Sequence, residues 1–349
     1  MGAVWFWLVA AMLSAYIVLD GFDIGVGILQ PFIGRNSEER GALLETIEPV
    51  WDGNEVWLIA AGGTILFAFP VLYAIAFSGF YLPVTTIVWL IVFRGIGIEL
   101  RRHIQFRLWR EFFDACFVLA SLLLALFFGI GLANVVRGVG MNPDGPFFLP
   151  LWTNLRPGPM PGLLDWFTLP GGLLAIASLG LHGALYLTFK TQAELQLRAR
   201  RWVFPLLGAV VILTAFSIPA IAVVRPASLE NYRRFPVAFV VPALVVAALA
   251  GILIFSLRGQ WRRAFANSCL FLVAMVLGAA ASLYPTVLPS SVDPALDLTI
   301  QKAEAGPHAL SAGLLWWAFG IALAMGYFLV VYGTLRGRAG LNHASSREY

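Results

Sequence analysis

The sequence predicts an all-α polytopic membrane protein with nine transmembrane helices, its N-terminus outside and its C-terminus inside. Three observations carry this. Hydrophobic residues fill 60% of the 349 positions and charged residues only 12%, whereas soluble domains hold about 45–50% and about 25%. With a mean hydropathy of +0.82, the chain cannot solvate its own surface, which excludes a soluble two-domain enzyme. Uncharged runs recur at the roughly 20 residues a helix needs to cross the hydrocarbon. The positive charges gather in alternate connections.

The first span is the uncharged run 1–19. Run 56–93 is 38 residues, too long for one crossing and just short of two. It is expected to form a helical hairpin turning near Pro70–Tyr73, each leg borrowing flanking residues. Runs 115–136 and 166–189 follow, the second interrupted only by His182. Runs 202–224, 235–257, 264–292 and 309–335 complete the nine. Backbone groups cannot stay unpaired in lipid, so all are read as helices; the alternation of a membrane barrel is absent. One integral membrane domain is expected, with a four-helix part at 1–137, an outer connection at 138–163, a five-helix part at 164–336 and an inner tail at 337–349.

Orientation follows from the Lys and Arg bias. The connections assigned to the inner side hold Arg35, Arg40, Arg101, Arg102, Arg107, Arg110, Lys190, Arg198, Arg200, Arg201, Arg258, Arg262, Arg263, Arg336, Arg338 and Arg347. The outer ones hold Arg137, Arg156, Arg225, Arg233, Arg234 and Lys302, while Arg94 lies within a span. Sixteen against six favours N-out, C-in, although Glu38, Glu39, Glu45 and Glu48 share the first inner connection. The N-terminus lacks a basic n-region and is expected to be retained. The net charge of +4 reflects topology and gives no sign of nucleic acid. Cys116 and Cys269 are expected to stay reduced. The outer segment 137–164 is rich in Pro and Gly and reads as an irregular cap. Trp5, Trp7, Trp109, Trp152, Trp202 and Trp261 fall at span ends, where interfacial anchoring is the expected role.

Ionisable groups inside a span point to function by default. Here Asp20 and Asp23 lie late in the first helix, Asp52 and Glu55 begin the second, and Arg94 and Glu99 end the third. The up-and-down order brings all six to the inner ends of their helices, with each carboxylate pair three residues apart on one face. One arginine among five carboxylates cannot neutralise them, which predicts raised pKa values for some. Gly21, Gly25, Gly27, Gly62, Gly63, Gly95 and Gly97 permit close helix approach around the cluster. Such a cluster suits proton uptake or a coupling-ion site. Asp52 and Glu99 also fit a plain interfacial role. A lone intramembrane His182 fits an axial haem ligand, a proton relay or a packing group. No CxxC, HExxH or phosphate-cradling glycine loop is present, so a self-contained metal or nucleotide site is not expected.

Gly21-Phe22-Asp23-Ile24-Gly25-Val26-Gly27 followed by Trp51-Asp52-Gly53-Asn54-Glu55-Val56-Trp57-Leu58 resembles subunit II of the cytochrome bd-type quinol oxidases, including the cyanide-insensitive branch. Ala76-Phe77-Ser78-Gly79-Phe80-Tyr81, Phe93-Arg94-Gly95-Ile96-Gly97-Ile98-Glu99-Leu100-Arg101 and Tyr284-Pro285-Thr286-Val287-Leu288-Pro289-Ser290-Ser291 are similar to further signatures, in the family's order and over the whole chain. The resemblance implies two four-helix bundles and a peripheral helix, packed against a similarly folded subunit I in the bacterial cytoplasmic membrane. It implies that the complex oxidises membrane quinol and reduces dioxygen to water. Two haems b and haem d are implied to sit in subunit I, with no haem and no metal held here and no catalytic residue in this chain. Scaffold, haem-pocket wall, proton entry and, in some members, a bound quinone are the implied roles. Small single-span accessory subunits are further partners that the resemblance allows.

The proton path is expected to start at Asp52, with Glu55, Asp20 and Asp23 as neighbours and Arg94 and Glu99 setting the field. Trp57 is implied to lie near a route for dioxygen. Two departures stand out: Glu55 replaces a Gln found in other members, and Glu99 replaces an Asp found in some. Two other function classes fit the cluster. An ion-coupled secondary transporter predicts helices broken near mid-membrane, with Pro83, Pro170, Pro219 and Pro242 as the candidate breakers. A purely structural scaffold predicts carboxylates that only lock helices together.

Overall fold

In the computed structural model, residues 1–142 and 147–334 are described. The chain opens with α1 (Gly2–Ile33), whose 32 residues run well past the uncharged stretch and carry Asp20 and Asp23 inside one continuous helix. A short amphipathic helix, α2 (Ser37–Leu44), follows. Its N-cap is chemically legible: Asn36 Oδ1 accepts the Glu39 N–H at 2.8 Å, and Glu39 Oε2 accepts the Arg35 N–H at 2.7 Å. This reciprocal arrangement satisfies two otherwise orphaned donors.

The hairpin expected over 56–93 takes a different form. α3 (Trp51–Ala68) and α5 (Tyr81–Leu100) do borrow flanking residues, but a ten-residue helix, α4 (Pro70–Gly79), replaces the tight turn. Phe69, with φ −133° and ψ 62°, breaks the first leg, and Pro70 takes the first helical position of α4, where its missing N–H costs nothing. The break is pinned by burial of Phe69 and Phe80 in an end core with Phe147, Leu149, Leu163 and Val287.

Next come α6 (Arg107–Arg137), α7 (Thr168–Lys190) and α8 (Ala193–Val224), then a five-residue α9 (Glu230–Arg234) and α10 (Val240–Leu257). α11 (Trp261–Leu283) is shorter than the uncharged run 264–292 suggested. Pro285 disfavours helix in the residue before it, and the chain turns into β1 (Thr286–Leu288). That strand pairs antiparallel with β2 (Leu298–Thr299), Thr286 opposite Thr299. This small ribbon is an addition to the all-α expectation. α12 (Ile300–Ala303) and α13 (Pro307–Thr334) finish the described chain. Residues 143–146 of the expected cap, Leu335 and the tail with Arg336, Arg338, His343 and Arg347 lie outside the described residues.

Among the described residues, eight helices are long and apolar enough to cross a membrane. α3 is not among them: Asp52, Asn54 and Glu55 occupy its first turns. α1 is the central element, packed on α3, α6, α7 and α11. α5 leans on α6, while α7, α8, α10 and α11 pack among themselves. α13 stands apart, burying only Leu310. Close approach of α1 and α7 requires glycine on both sides. A Cβ on Gly25 would lie 2.8 Å from the Gly183 Cα, and one on Gly183 would lie 2.6 Å from the Gly25 Cα. Gly62 and Gly63, expected to serve the same purpose, meet nothing within 4 Å.

The described residues of the Pro/Gly-rich segment 137–164 are irregular beyond the end of α6 but anchored. Arg137 donates to Asn134 Oδ1, to the Gly162 carbonyl and to Asp165, while Asp165 Oδ1 caps α7 by accepting the Phe167 and Thr168 N–H groups at 2.8 Å. Trp5 departs from the anchoring role: it is 2% exposed in the end core and donates Nε1–H to the Leu310 carbonyl at 3.1 Å. Its indole ties α1 to α13.

Candidate functional site: a buried carboxylate–guanidinium network

Helical periodicity places Tyr16, Asp20 and Asp23 on one face of α1, all buried. α3 delivers Asn54 and Glu55 to that face, and α5 delivers Arg94. The Arg94 guanidinium, 0% exposed, bridges two helices: Nη1 lies 2.7 Å from Asp20 Oδ1 and Nη2 lies 2.9 Å from Glu55 Oε2. The Glu55 contact is a directed hydrogen bond. The Asp20 contact is close but poorly aligned, so it is coulombic in character. Asp23 takes a neutral partner instead: Asn54 Nδ2 donates to Asp23 Oδ2 at 2.8 Å and to the Leu19 carbonyl at 3.1 Å. On the far side, the Tyr332 hydroxyl of α13 donates to Asn54 Oδ1 at 2.7 Å.

Charge balance is uneven. Three carboxyls face one guanidinium, and Asp20 Oδ2, Asp23 Oδ1 and Glu55 Oε1 are buried with no hydrogen-bond donor among the described residues. Desolvated charge without a partner is expensive, so an ionised carboxylate at each of the three positions is not compensated. Glu55 is the member nearest the surface, with 9% of its side chain exposed against 0% for Asp20.

The structure therefore unites Asp20, Asp23, Glu55 and Arg94 and leaves two expected members outside. Asp52 is exposed in the first turn of α3, its Oδ1 accepting the adjacent Gly53 N–H at 2.7 Å. Glu99 is exposed near the end of α5, contributing only its carbonyl to His103. The reason is depth: each lies at the helix end beyond its buried neighbour. Trp57 lines the network's flank, packed with Met12, Tyr16 and Ala61 and 5.7 Å from the Phe328 ring, its Nε1–H buried and unpartnered.

His182 is 0% exposed and stacked on Phe265 at 4.6 Å. Its Nδ1 lies 2.7 Å from Ser268 Oγ and its Nε2 3.0 Å from the Val18 carbonyl. The Val18 carbonyl can only accept, so Nε2 donates to it, while Ser268 Oγ, beside Nδ1, also lies 2.7 Å from the Phe265 carbonyl and donates there. With Nε2 donating to Val18 and Nδ1 lying against Ser268 Oγ, the residue does not fit axial haem ligation. It fits packing between α1, α7 and α11. Among the described residues no cluster of three His, Cys, Asp or Glu side chains is placed to hold a metal ion.

Sequence reasoning passed over Asn54, Tyr16 and Tyr332, which carry no formal charge, although Asn54 sits inside a quoted motif. It also passed over Asp114, one residue before an uncharged run. Asp114 is buried and accepts from Arg101 Nε at 2.6 Å and Gln30 Nε2 at 3.2 Å, so Arg101 is a structural clamp as well as a topology signal. None of the four candidate helix breakers acts as one. Pro83, Pro170 and Pro242 each stand third in their helices, and α8 runs unbroken through Pro219.

A polytopic α-helical membrane subunit with carboxylates sealed around one arginine between three helices is the class this fold and site define. Residues 1–335 match the family of cytochrome bd terminal oxidase subunit II. The chain belongs to that family. It is 33% identical over 345 residues to the cytochrome bd-I ubiquinol oxidase subunit 2 of Escherichia coli, covering 90% of this chain and 88% of that one. It is 30% identical over 374 residues to a probable cytochrome oxidase subunit 2 of Haemophilus influenzae, covering 99% and 97%. Among solved structures, bd oxidase from Geobacillus thermodenitrificans shares the fold, with a TM-score of 0.71, 18% identity and coverage of 94% of this chain and 98% of that one.

Proposed function

We propose that this chain is the non-haem subunit of an electrogenic quinol:dioxygen oxidoreductase, inactive alone, in a heterodimer with a haem-carrying subunit I. The membrane is the bacterial cytoplasmic membrane, crossed nine times with α3 as the ninth span, N-terminus outside and C-terminus inside. The observation that carries the reading is the buried Asp20–Arg94–Glu55 bridge with its unpartnered carboxyl oxygens, inside a member of this family. Two haems b and haem d, bound by subunit I, supply electron transfer from quinol and the reduction of dioxygen.

Each dioxygen reduced to two waters consumes four protons. Asp52, exposed one turn before Glu55, collects them from the inner side. Glu55 passes them inward because it touches both the surface and Arg94. Asp20 and Asp23 hold them in the dry interior, and Arg94 offsets the negative charge of the carboxylate left whenever Asp20 or Glu55 gives its proton up. Glu99 contributes charge at the mouth, and Trp57 forms part of the wall facing the oxygen site. Quinol is the substrate of the complex, and lipid surrounds it; a structural quinone and small single-span subunits are further candidates for the complex. The unbroken course of α5, α7, α8 and α10 through or past Pro83, Pro170, Pro219 and Pro242 supports this reading over a secondary transporter. The test is purification through a tag on this chain. The complex is expected to contain a companion chain with haem b and haem d absorption and to consume oxygen with quinol. Recovery of this chain alone, or with a partner free of haem, would refute the assignment.

A further inference from the structure

The inner ends of α7, α8 and α11 enclose a groove of about 500 Å³ that no part of the proton argument uses. Thr188, Gln196, Arg200, Trp261, Arg262 and Arg263 line it. Arg200 lies with its guanidinium carbon 5.1 Å from the Trp261 ring centroid, and its Nε is buried without a hydrogen-bond partner. Arg263 is braced over Phe255 at 5.7 Å and donates to Gln260 Oε1 at 2.9 Å. Lys190 lies near enough to Arg262 to feel its charge. Among the described residues no carboxylate pairs with Arg200, Arg262 or Arg263. Further along the helices from this basic end, Phe204 on α8 and Leu253 on α10 are exposed apolar side chains. A basic mouth that continues into exposed aliphatic helix surface is complementary to an amphiphile.

We propose that this groove binds the phosphodiester headgroup of an anionic phospholipid, its acyl chains lying along α8 and α10. Three arginines held on two helix ends concentrate positive potential where a headgroup sits, and basic pockets between membrane helices recognise anionic headgroups in this way. Trp261 supplies the interfacial ring that fixes depth, and its contact with Arg200 holds that guanidinium in place. The stiff bidentate fork of arginine suits a phosphodiester better than lysine does.

The test uses the whole complex, exchanged into phosphatidylcholine vesicles doped with phosphatidylglycerol and then analysed for retained lipid by native mass spectrometry. The parent complex is expected to retain phosphatidylglycerol selectively. Each neutralised arginine weakens retention about fivefold, so Arg200→Gln with Arg262→Gln weakens it about 25-fold. Arg107→Gln, an exposed charge away from the groove, leaves it unchanged. If the double variant fails to assemble, Arg262→Gln alone decides, since that side chain is exposed and makes no hydrogen bond or ion pair among the described residues. Added inorganic phosphate is expected not to displace the lipid. Equal retention by parent and groove variants, or displacement by inorganic phosphate at matched concentration, would overturn the proposal.

Discussion

Removing the arginine at the centre of the network is the sharpest structural perturbation available. Arg94→Gln deletes a guanidinium that is fully buried, in ion-pair contact with Asp20 at 2.7 Å and hydrogen-bonded to Glu55 at 2.9 Å. Glutamine reaches only one of the two, so at least one buried carboxyl loses its sole cation. Breaking a buried ion pair by removing one partner costs about 3–5 kcal/mol, because the surviving charge stays desolvated. Arg94→Gln with Asp20→Asn removes the charge along with its partner, and replacing both members of a buried pair is often near neutral. The double variant is therefore expected to recover much of the loss, a non-additive result for residues in one network. The assay is the midpoint for loss of the assembled complex in a denaturant or thermal series, with haem content as a second readout. A single variant as stable as the parent, or a double variant no better than the single, would show that the three side chains are not energetically joined.

Three further outcomes are expected. Acidification should loosen the α2–α8 contact, because Arg198 hydrogen-bonds Glu39 at 2.6 Å and holds its carboxyl below the usual carboxylate range. A depressed folded-state value gives stability that is present above the unfolded value of about 4.3 and lost as pH falls through the folded one; Glu39→Gln should remove that part of the acid sensitivity, measured as stability against pH. Gly183→Ala should prevent assembly, since its Cβ would stand 2.6 Å from the Gly25 Cα, whereas Gly62→Ala meets open space and should be tolerated; yield of intact complex distinguishes them. His182→Ala should leave haem content per complex unchanged in the absorption spectrum, while a stoichiometric loss of haem would make it a ligand.

The membrane class and most helix positions were legible because burial in lipid demands long uncharged runs, and composition alone reports those. The α4 insertion was not, because apolar content cannot distinguish a tight turn from a short helix; the break at Phe69 is set by packing in the end core. The site was half legible. Charge within spans led to Asp20, Asp23, Glu55 and Arg94, yet kept Asp52 and Glu99 in the cluster with an interfacial role left open for both, since depth depends on where each helix enters its bundle. Asn54 and Tyr332 were invisible to a search for charge, although Asn54 donates to Asp23 Oδ2 and the Tyr332 hydroxyl holds Asn54 in turn. Asp114 escaped because it stands one residue outside an uncharged run, and its burial depends on Gln30, 84 residues away, as well as on the nearby Arg101.

Proton delivery through this cluster is tested most directly by proton uptake during oxygen reduction in reconstituted complex carrying Asp52→Asn with Glu55→Gln. Both substitutions keep side-chain volume and neither can carry a proton at neutral pH. Full haem content is expected, with each single variant slowed and the double variant slowed far more than the product of the two. Turnover and inner-side proton uptake at the parent rate, in a double variant with its haems intact, would contradict a proton role for the cluster and leave it a structural lock between helices.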